Sequence, residues 1–388
     1  MVLIYLFWNV IASLLVFFPP TPRFEAQTID PAISIGYGLA IGDVDGDRKP
    51  DILLADQKQF VWYRNGDWKR FVLAENLTER DNVCIAAQDL DGDGKVEIAV
   101  GAQWNPGETQ DTIQSGAVFY LIRPKNPTEK WEAVRLPHEP TVHRMRWVKS
   151  KDGGSYLVVV PLHGRGNKAG EGVGVKIKAY QLPANPRGSW PIFTLDQAMH
   201  LTHNLDVIPN SKTKQTDIYL AGKEGVRFLS DFKGKLSADK AQEIAGVNLP
   251  TGEVRLGNGK NNQKFLATIE PMHGTAVAVY ALGQNATRQV LDENIKEGHA
   301  LATADVLGLG QDQVIAGWRN PNNENKVGIK LYVPAGTTNM PWQSFWIDEN
   351  TMATEDLQVQ DLNADGKPDI IAAGRATKNL KIYWNKSK

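Results

Sequence analysis

Three segments of this 388-residue chain place oxygen side chains at positions 1, 3, 5 and 9 of a tight turn. They are Asp43, Asp45, Asp47 and Asp51; Asp89, Asp91, Asp93 and Glu97; and Asp361, Asn363, Asp365 and Asp369. Alternate residues on such a loop converge their oxygens at the spacing a hard cation requires. Calcium or magnesium is expected in each, as a structural ion pinning the turn. Asp305-Val-Leu-Gly-Leu-Gly-Gln-Asp312 is a degraded copy of the same pattern.

The second group with chemistry in it is imidazole. His143, His203 and His299 each stand where an apolar run begins. Three imidazoles with a vacant fourth position would make a zinc-type site, and without metal the same groups offer a base and an acid. Tyr37, at the matching place in an earlier segment, is a candidate second acid. His163, His273, Glu270, Lys223, Arg319 and Arg375 are candidates for binding a polar substrate, with Trp104 and Trp318 to stack on it. Plainer roles stand beside these. Glu253 can pair with Arg255, Arg319 and Arg375 can form salt bridges between structural units, and both tryptophans can be packing residues.

These groups need a frame, and the frame is repetitive. Each acidic loop lies between two apolar runs, such as Ile52-Leu-Leu-Ala55 and Ile370-Ile-Ala-Ala373, that are too short for helices and read as strands. Further on, a run ends on Tyr at Tyr63, Tyr120, Tyr180, Tyr280, Tyr332 and Tyr383. Another opens on Trp at Trp68, Trp131, Trp190 and Trp342, closed by Asp196 and Asp348 in the last two. Four strands per unit, a to d, follow from this order. Inner strands begin near Gly36, Asn82, Val142, His203, Gly252, His299 and Asp356. The predicted fold is all-β, a seven-bladed β-propeller. Its last blade lacks an outer strand, and Phe24-Glu-Ala-Gln-Thr-Ile-Asp30 copies the spacing from Trp342 to Asp348. That segment is expected to close the ring and remove its free edges. In such a blade the d–a and b–c connections share one face, and the a–b turns lie on the other. All seven histidines fall on the first face and the acidic loops on the second.

Composition narrows the partners. A formal net charge of −1 supplies no basic field for nucleic acid. Cys84 is the only cysteine, so no intrachain disulfide can form and thiol-rich metal sites are excluded. Residues 1–23 read as a signal peptide or membrane anchor and 24–388 as the propeller. The apolar run Val2–Phe18 ends at Pro19 and Pro20, without the basic residues or small-residue cleavage site that usually accompany a leader. The expectation is an exported protein, either periplasmic, extracellular or anchored to a membrane.

The acidic loops resemble the FG-GAP/VCBS repeats of integrin-type propellers. The loop phrases Leu136-Pro-His-Glu-Pro-Thr-Val-His143, Pro161-Leu-His-Gly-Arg-Gly166, His200-Leu-Thr-His-Asn204, Ile269-Glu-Pro-Met-His-Gly274, Gly298-His-Ala300 and Gly374-Arg-Ala-Thr-Lys-Asn-Leu-Lys-Ile-Tyr-Trp384 further resemble bacterial propellers related to aldos-2-ulose dehydratase. This resemblance implies a carbohydrate lyase or dehydratase, performing β-elimination on a keto-sugar or uronate-containing glycan. The fungal enzyme carries a further cupin-like domain, for which this chain has no counterpart. The alternative is a non-catalytic glycan- or protein-binding propeller, and fold alone does not decide between them.

Overall fold

The computed structural model describes residues 21–150, 153–210, 215–230, 232–234, 241–334 and 342–388. The apolar N-terminal run, read as leader or anchor, lies outside the described residues. Among the described residues no helix is long and apolar enough to cross a membrane.

The strands form seven four-stranded antiparallel sheets. Inner strands start at Gly38, Cys84, Val142, Thr202, Glu253, Gly298 and Thr354, each within two residues of the predicted place. Neighbouring inner strands touch all the way round, the seventh meeting the first, so the sheets close into a ring. A second strand of a blade is covered by a blade on either side. Ile52-Leu-Leu-Ala55 is therefore buried continuously rather than on alternate residues.

Closure occurs as the spacing predicts. Phe24–Asp30 pairs antiparallel with Asn379–Asn385, from Phe24 opposite Asn385 to Asp30 opposite Leu380. It supplies the outer strand of the seventh blade and covers the edge that Asn379–Asn385 would otherwise present.

The repeated Tyr and Asp positions acquire a physical reason. An Asp ending the outer strand of one blade accepts a hydrogen bond from the Tyr ending the third strand of the next. Tyr63 donates to Asp30 at 2.7 Å, Tyr332 to Asp292 at 2.9 Å and Tyr383 to Asp348 at 2.7 Å. A lysine two residues before the Tyr joins the later two pairs, Lys330 on Asp292 at 2.8 Å and Lys381 on Asp348 at 3.3 Å. These contacts rivet blade to blade. In the fourth blade Phe228 has no hydroxyl to offer, and Asp196 accepts instead from Ala198 N at 3.0 Å, with Arg227 Nε 3.8 Å away.

The acidic loops also have a backbone logic. Positions 4 and 6 take positive φ in all three, at Gly46 and Arg48, Gly92 and Gly94, and Ala364 and Gly366. Glycine adopts that conformation without a steric penalty, so it recurs there.

Candidate functional site

The histidine face is built by irregularities at the entry of four inner strands. The register of strand a slips between Val142 and Arg144, Thr202 and Leu205, Gly298 and Ala300, and Thr354 and Asp356. A β-bulge inserts an unpaired residue and re-aims its side chain. The residues set free are His143, His203 with Asn204, His299 and Glu355. The fifth blade adds Glu253 at the first position of an unbulged strand.

The three predicted histidines do come together, with His273 as a fourth. Ring centroids of His143 and His203 are 4.6 Å apart, those of His203 and His299 5.2 Å, and His273 sits 4.4 Å from His203 and 4.9 Å from His299. Ligand nitrogens of His203, His273 and His299 lie within 4.8 Å of one another, an arrangement that could chelate a divalent cation. The expected trio of His143, His203 and His299 is thereby changed in one member. His143 Nε2 faces Arg144 at 3.3 Å instead, and Trp104 stacks on its ring at 5.0 Å.

Their surroundings differ from a water-filled mouth. His143, His203 and His299 are each less than 5 % exposed. Their Nδ1–H groups donate to backbone carbonyls of other blades: His143 to His203 O at 2.8 Å, His203 to Gly252 O at 2.9 Å and His299 to Glu355 O at 2.5 Å. Burial pushes His143 and His299 well below the usual imidazole range, reinforced by the Arg144 and Arg319 charges respectively. Burial lowers His273 too, with His203 and Arg319 adding to it. Rings so hard to protonate are poor general bases at neutral pH, since an effective base titrates near the working pH.

The remaining candidates settle into structural partnerships. Tyr37 is buried and donates to Asp81 at 3.0 Å, apart from the imidazoles. Glu270 is held by Arg288 at 2.9 Å, Tyr280 at 2.6 Å and Thr268 at 2.8 Å. Lys223 pairs with Glu171 at 2.5 Å. Arg319 bonds Glu297 and, at 3.3 Å, Glu355, while Arg375 bonds Glu355 at 3.0 Å. His163 bridges to Leu201 through its backbone. Trp318 is fully buried, its Nε1 donating to Lys326 O at 3.0 Å, and so stacks on no ligand.

Glu253 gains a role beyond its Arg255 pairing at 3.3 Å. It also lies 3.2 Å from His203 Nδ1 and accepts from Asn204 at 2.6 Å. Burial opposes its ionisation, but His203 and Arg255 outweigh that and hold the carboxyl low, at about 2. Asn204 and Arg144 were missed by sequence reasoning. Their adjacency to His203 and His143 was the available signal.

On the opposite face, two acidic loops draw three carboxylates each within 4.8 Å: Asp43, Asp45 and Asp51, and Asp89, Asp91 and Glu97. Asp47 and Asp93 turn away, accepting from the backbone N–H of Lys49 at 2.8 Å and Lys95 at 2.7 Å. Burial pushes Asp51 and Glu97 up to about 7, and neighbouring carboxylates add to the shift against backbone N–H donors. Crowded carboxylates of this kind fit a divalent cation that neutralises them. In the third loop Asp361 accepts from Gly366 N at 2.8 Å and Asp365 from Lys367 N at 2.9 Å, while Asn363 donates to Asp365 at 3.1 Å. Buried Asp369 accepts from Leu362 N at 3.1 Å and Asn385 N at 2.9 Å.

Comparison with known proteins agrees on the architecture. The FG-GAP-like repeat family matches residues 24–100. No curated protein matches the chain. Similar solved structures include the WD40 β-propeller domain of Doa1, with TM-score 0.54 and 9 % identity over 94 % of this chain and 97 % of that one. BBS1N in complex with ARL6DN gives 0.55 and 14 %, over 95 % and 97 %. A chain of the mitotic checkpoint complex gives 0.57 and 12 %, over 99 % and 98 %. At such identities the likeness concerns the fold. The narrower resemblance to aldos-2-ulose dehydratase is not upheld; a seven-bladed propeller with an FG-GAP-like N-terminal repeat is. The expectation of a lyase or dehydratase with a carbohydrate substrate is overturned. The matched propellers are a WD40 domain and members of complexes rather than carbohydrate-active enzymes, and the imidazoles meant for catalysis are buried and bonded to backbone. The reading as a secreted protein finds no support in these likenesses either.

Proposed function

We propose that this chain is a non-catalytic, protein-binding propeller that docks its partner on the face built from d–a and b–c connections. One observation carries the reading. Among the described residues the exposed large hydrophobics are Ile113, Val173 and Leu249, at 75 %, 49 % and 42 % exposure. Scattered surface hydrophobics are ordinary. These three all lie on one face, in the b–c loops of blades two and three and the connection from blade four to five. The two long loops, 103–116 and 162–176, are braced together, Gly166 N on Thr109 O at 2.9 Å and Arg165 on Gln110 O at 3.2 Å. A braced apolar rim loses little freedom on binding, which favours association.

The test is affinity capture from an extract of the source cells, with cross-linking of the retained protein. Wild type is expected to hold a partner whose cross-links fall on the 103–116 and 162–176 loops. The combined Ile113→Asp, Val173→Asp and Leu249→Asp variant should lose it at an unchanged melting temperature. Cross-links confined to the acidic-loop face, or equal capture by the variant, would refute the assignment.

The ion best matched to the carboxylate loops of blades one, two and seven is calcium, with magnesium as the smaller substitute. Its role is to pin the a–b turns. A ligand held at 100 times its Kd contributes about 2.7 kcal/mol to folding stability. Excess chelator should therefore lower the melting temperature, and calcium should restore it. Asp45→Ala and Asp91→Ala should each remove one bound cation by elemental analysis. A melt indifferent to chelator would rule out structural ions here.

A further inference from the structure

Three features meet at the histidine cluster. Ligand nitrogens of His203, His273 and His299 converge within 4.8 Å. The far side of each buried ring is already fixed: His203 Nδ1–H points at Gly252 O at 2.9 Å and the Glu253 carboxylate at 3.2 Å, and His299 Nδ1–H at Glu355 O at 2.5 Å. A proton fixed on Nδ1 leaves Nε2 as a lone pair, the condition in which a carboxylate or carbonyl holds a metal-ligating histidine. Glu253 Oε1 is buried and has no other hydrogen-bonding partner among the described residues, so it faces that ring. His273, in contrast, is exposed and sits in the b–c turn of blade five, which gives a cation a way in.

We propose that His203, His273 and His299 form a binding site for a divalent transition cation of the zinc type, with a fourth position open to solvent beside His273. An all-imidazole donor set selects zinc, cobalt, nickel or copper over calcium and magnesium, which take oxygen. The site is thus chemically separate from the carboxylate loops on the other face.

Without the cation, a proton does part of its work. An arginine cannot accept, so the 3.3 Å contact from Arg319 makes His273 Nδ1 the acceptor and leaves its proton on Nε2. That proton lies between His273 Nε2 and His203 Nε2, which are 2.5 Å apart. Zinc–nitrogen bonds of about 2.0–2.1 Å in a tetrahedron separate the nitrogens by roughly 3.4 Å. Cation entry therefore swings the His273 turn outward by about 1 Å relative to that contact. The His273 proton moves from Nε2 to Nδ1, so none is released. Arg319 gives up its contact with Nδ1 and remains bonded to Glu297 and Glu355.

The experiment is zinc binding to the full chain by equilibrium dialysis in excess calcium, with the absorbance of the cobalt form as a geometric readout. Wild type is expected to bind one zinc at this site and to show the visible bands of tetrahedral cobalt. His273→Gln, at an exposed turn position, should fold normally and weaken zinc binding at least tenfold, the lower end of losses seen on disturbing a metal shell being roughly 10-fold. His299→Ala should do the same, and His143→Ala should retain the metal. Arg319→Gln should tighten binding, since it removes a cation that competes for His273. Stoichiometric zinc retained by His273→Gln, or no zinc bound by wild type, overturns the proposal and leaves the 2.5 Å contact as a shared proton alone.

Discussion

A chain that starts after Pro31 is expected to melt roughly 5–10 °C below the full protein, taking about 1 kcal/mol for each of some five lost hydrogen bonds and about 1–2 °C per kcal/mol for a ring of this size. The bonds at stake are those between Phe24–Asp30 and Asn379–Asn385, together with Tyr63 on Asp30 and Lys386 N on Arg23 O at 2.8 Å. Phe24 and Ile29 also leave the clusters they pack against. The truncated ring would present Asn379–Asn385 as a free edge, so concentration-dependent association should accompany the loss. Calorimetry and light scattering on the two chains test this. Equal melting temperatures would mean the ring is held by its blade contacts and not by the closing strand.

Asp348→Ala is expected to be the most damaging single substitution. Asp348 and Lys381 are each less than 9 % exposed, and Tyr383 donates to the same carboxylate. Removing the acid strands a buried ammonium and a buried hydroxyl together. Breaking a buried pair from one side costs about 3–5 kcal/mol. Tyr383→Phe removes one neutral partner and should cost only about 1 kcal/mol. Denaturant melts of the two variants provide the comparison. Similar small losses in both would show that the rivet between blades six and seven carries little of the ring's cohesion.

The ring was legible because its signals are local and repeated. Acidic loop, apolar run, terminal Tyr and leading Trp recur at a fixed order, and Phe24 to Asp30 betrays its role by copying the 342–348 spacing. Why Tyr and Asp recur was not legible, since Tyr383 and Asp348 meet across a blade boundary. The geometry of the candidate site was legible only in part, for a similar reason. Matching positions in blades three, four and six gave His143, His203 and His299, and they do converge. Which of them could share a ligand depended on bulges that turn each side chain by an amount no spacing encodes. Burial was the larger miss. Polar residues at a channel edge suggest water, yet here they are consumed by backbone carbonyls of adjoining blades. Trp318 went astray in the same way, as an aromatic beside polar loop residues that packs inward against Trp346.

The pairing of Phe24 with Asn385 also sets a timetable. The strand that completes the seventh blade leaves the ribosome about 350 residues ahead of its partner. At 5–20 residues per second the first strand waits roughly 20–70 s for a mate. Six blades can pack in that interval, each a local hairpin stack, while the ring stays an open arc with two adhesive ends. The final joining step is then an event between distant parts of one molecule, in competition with joining between molecules. Crowded synthesis should favour the second, so linked arcs are the expected failure product, and slowing initiation should reduce them.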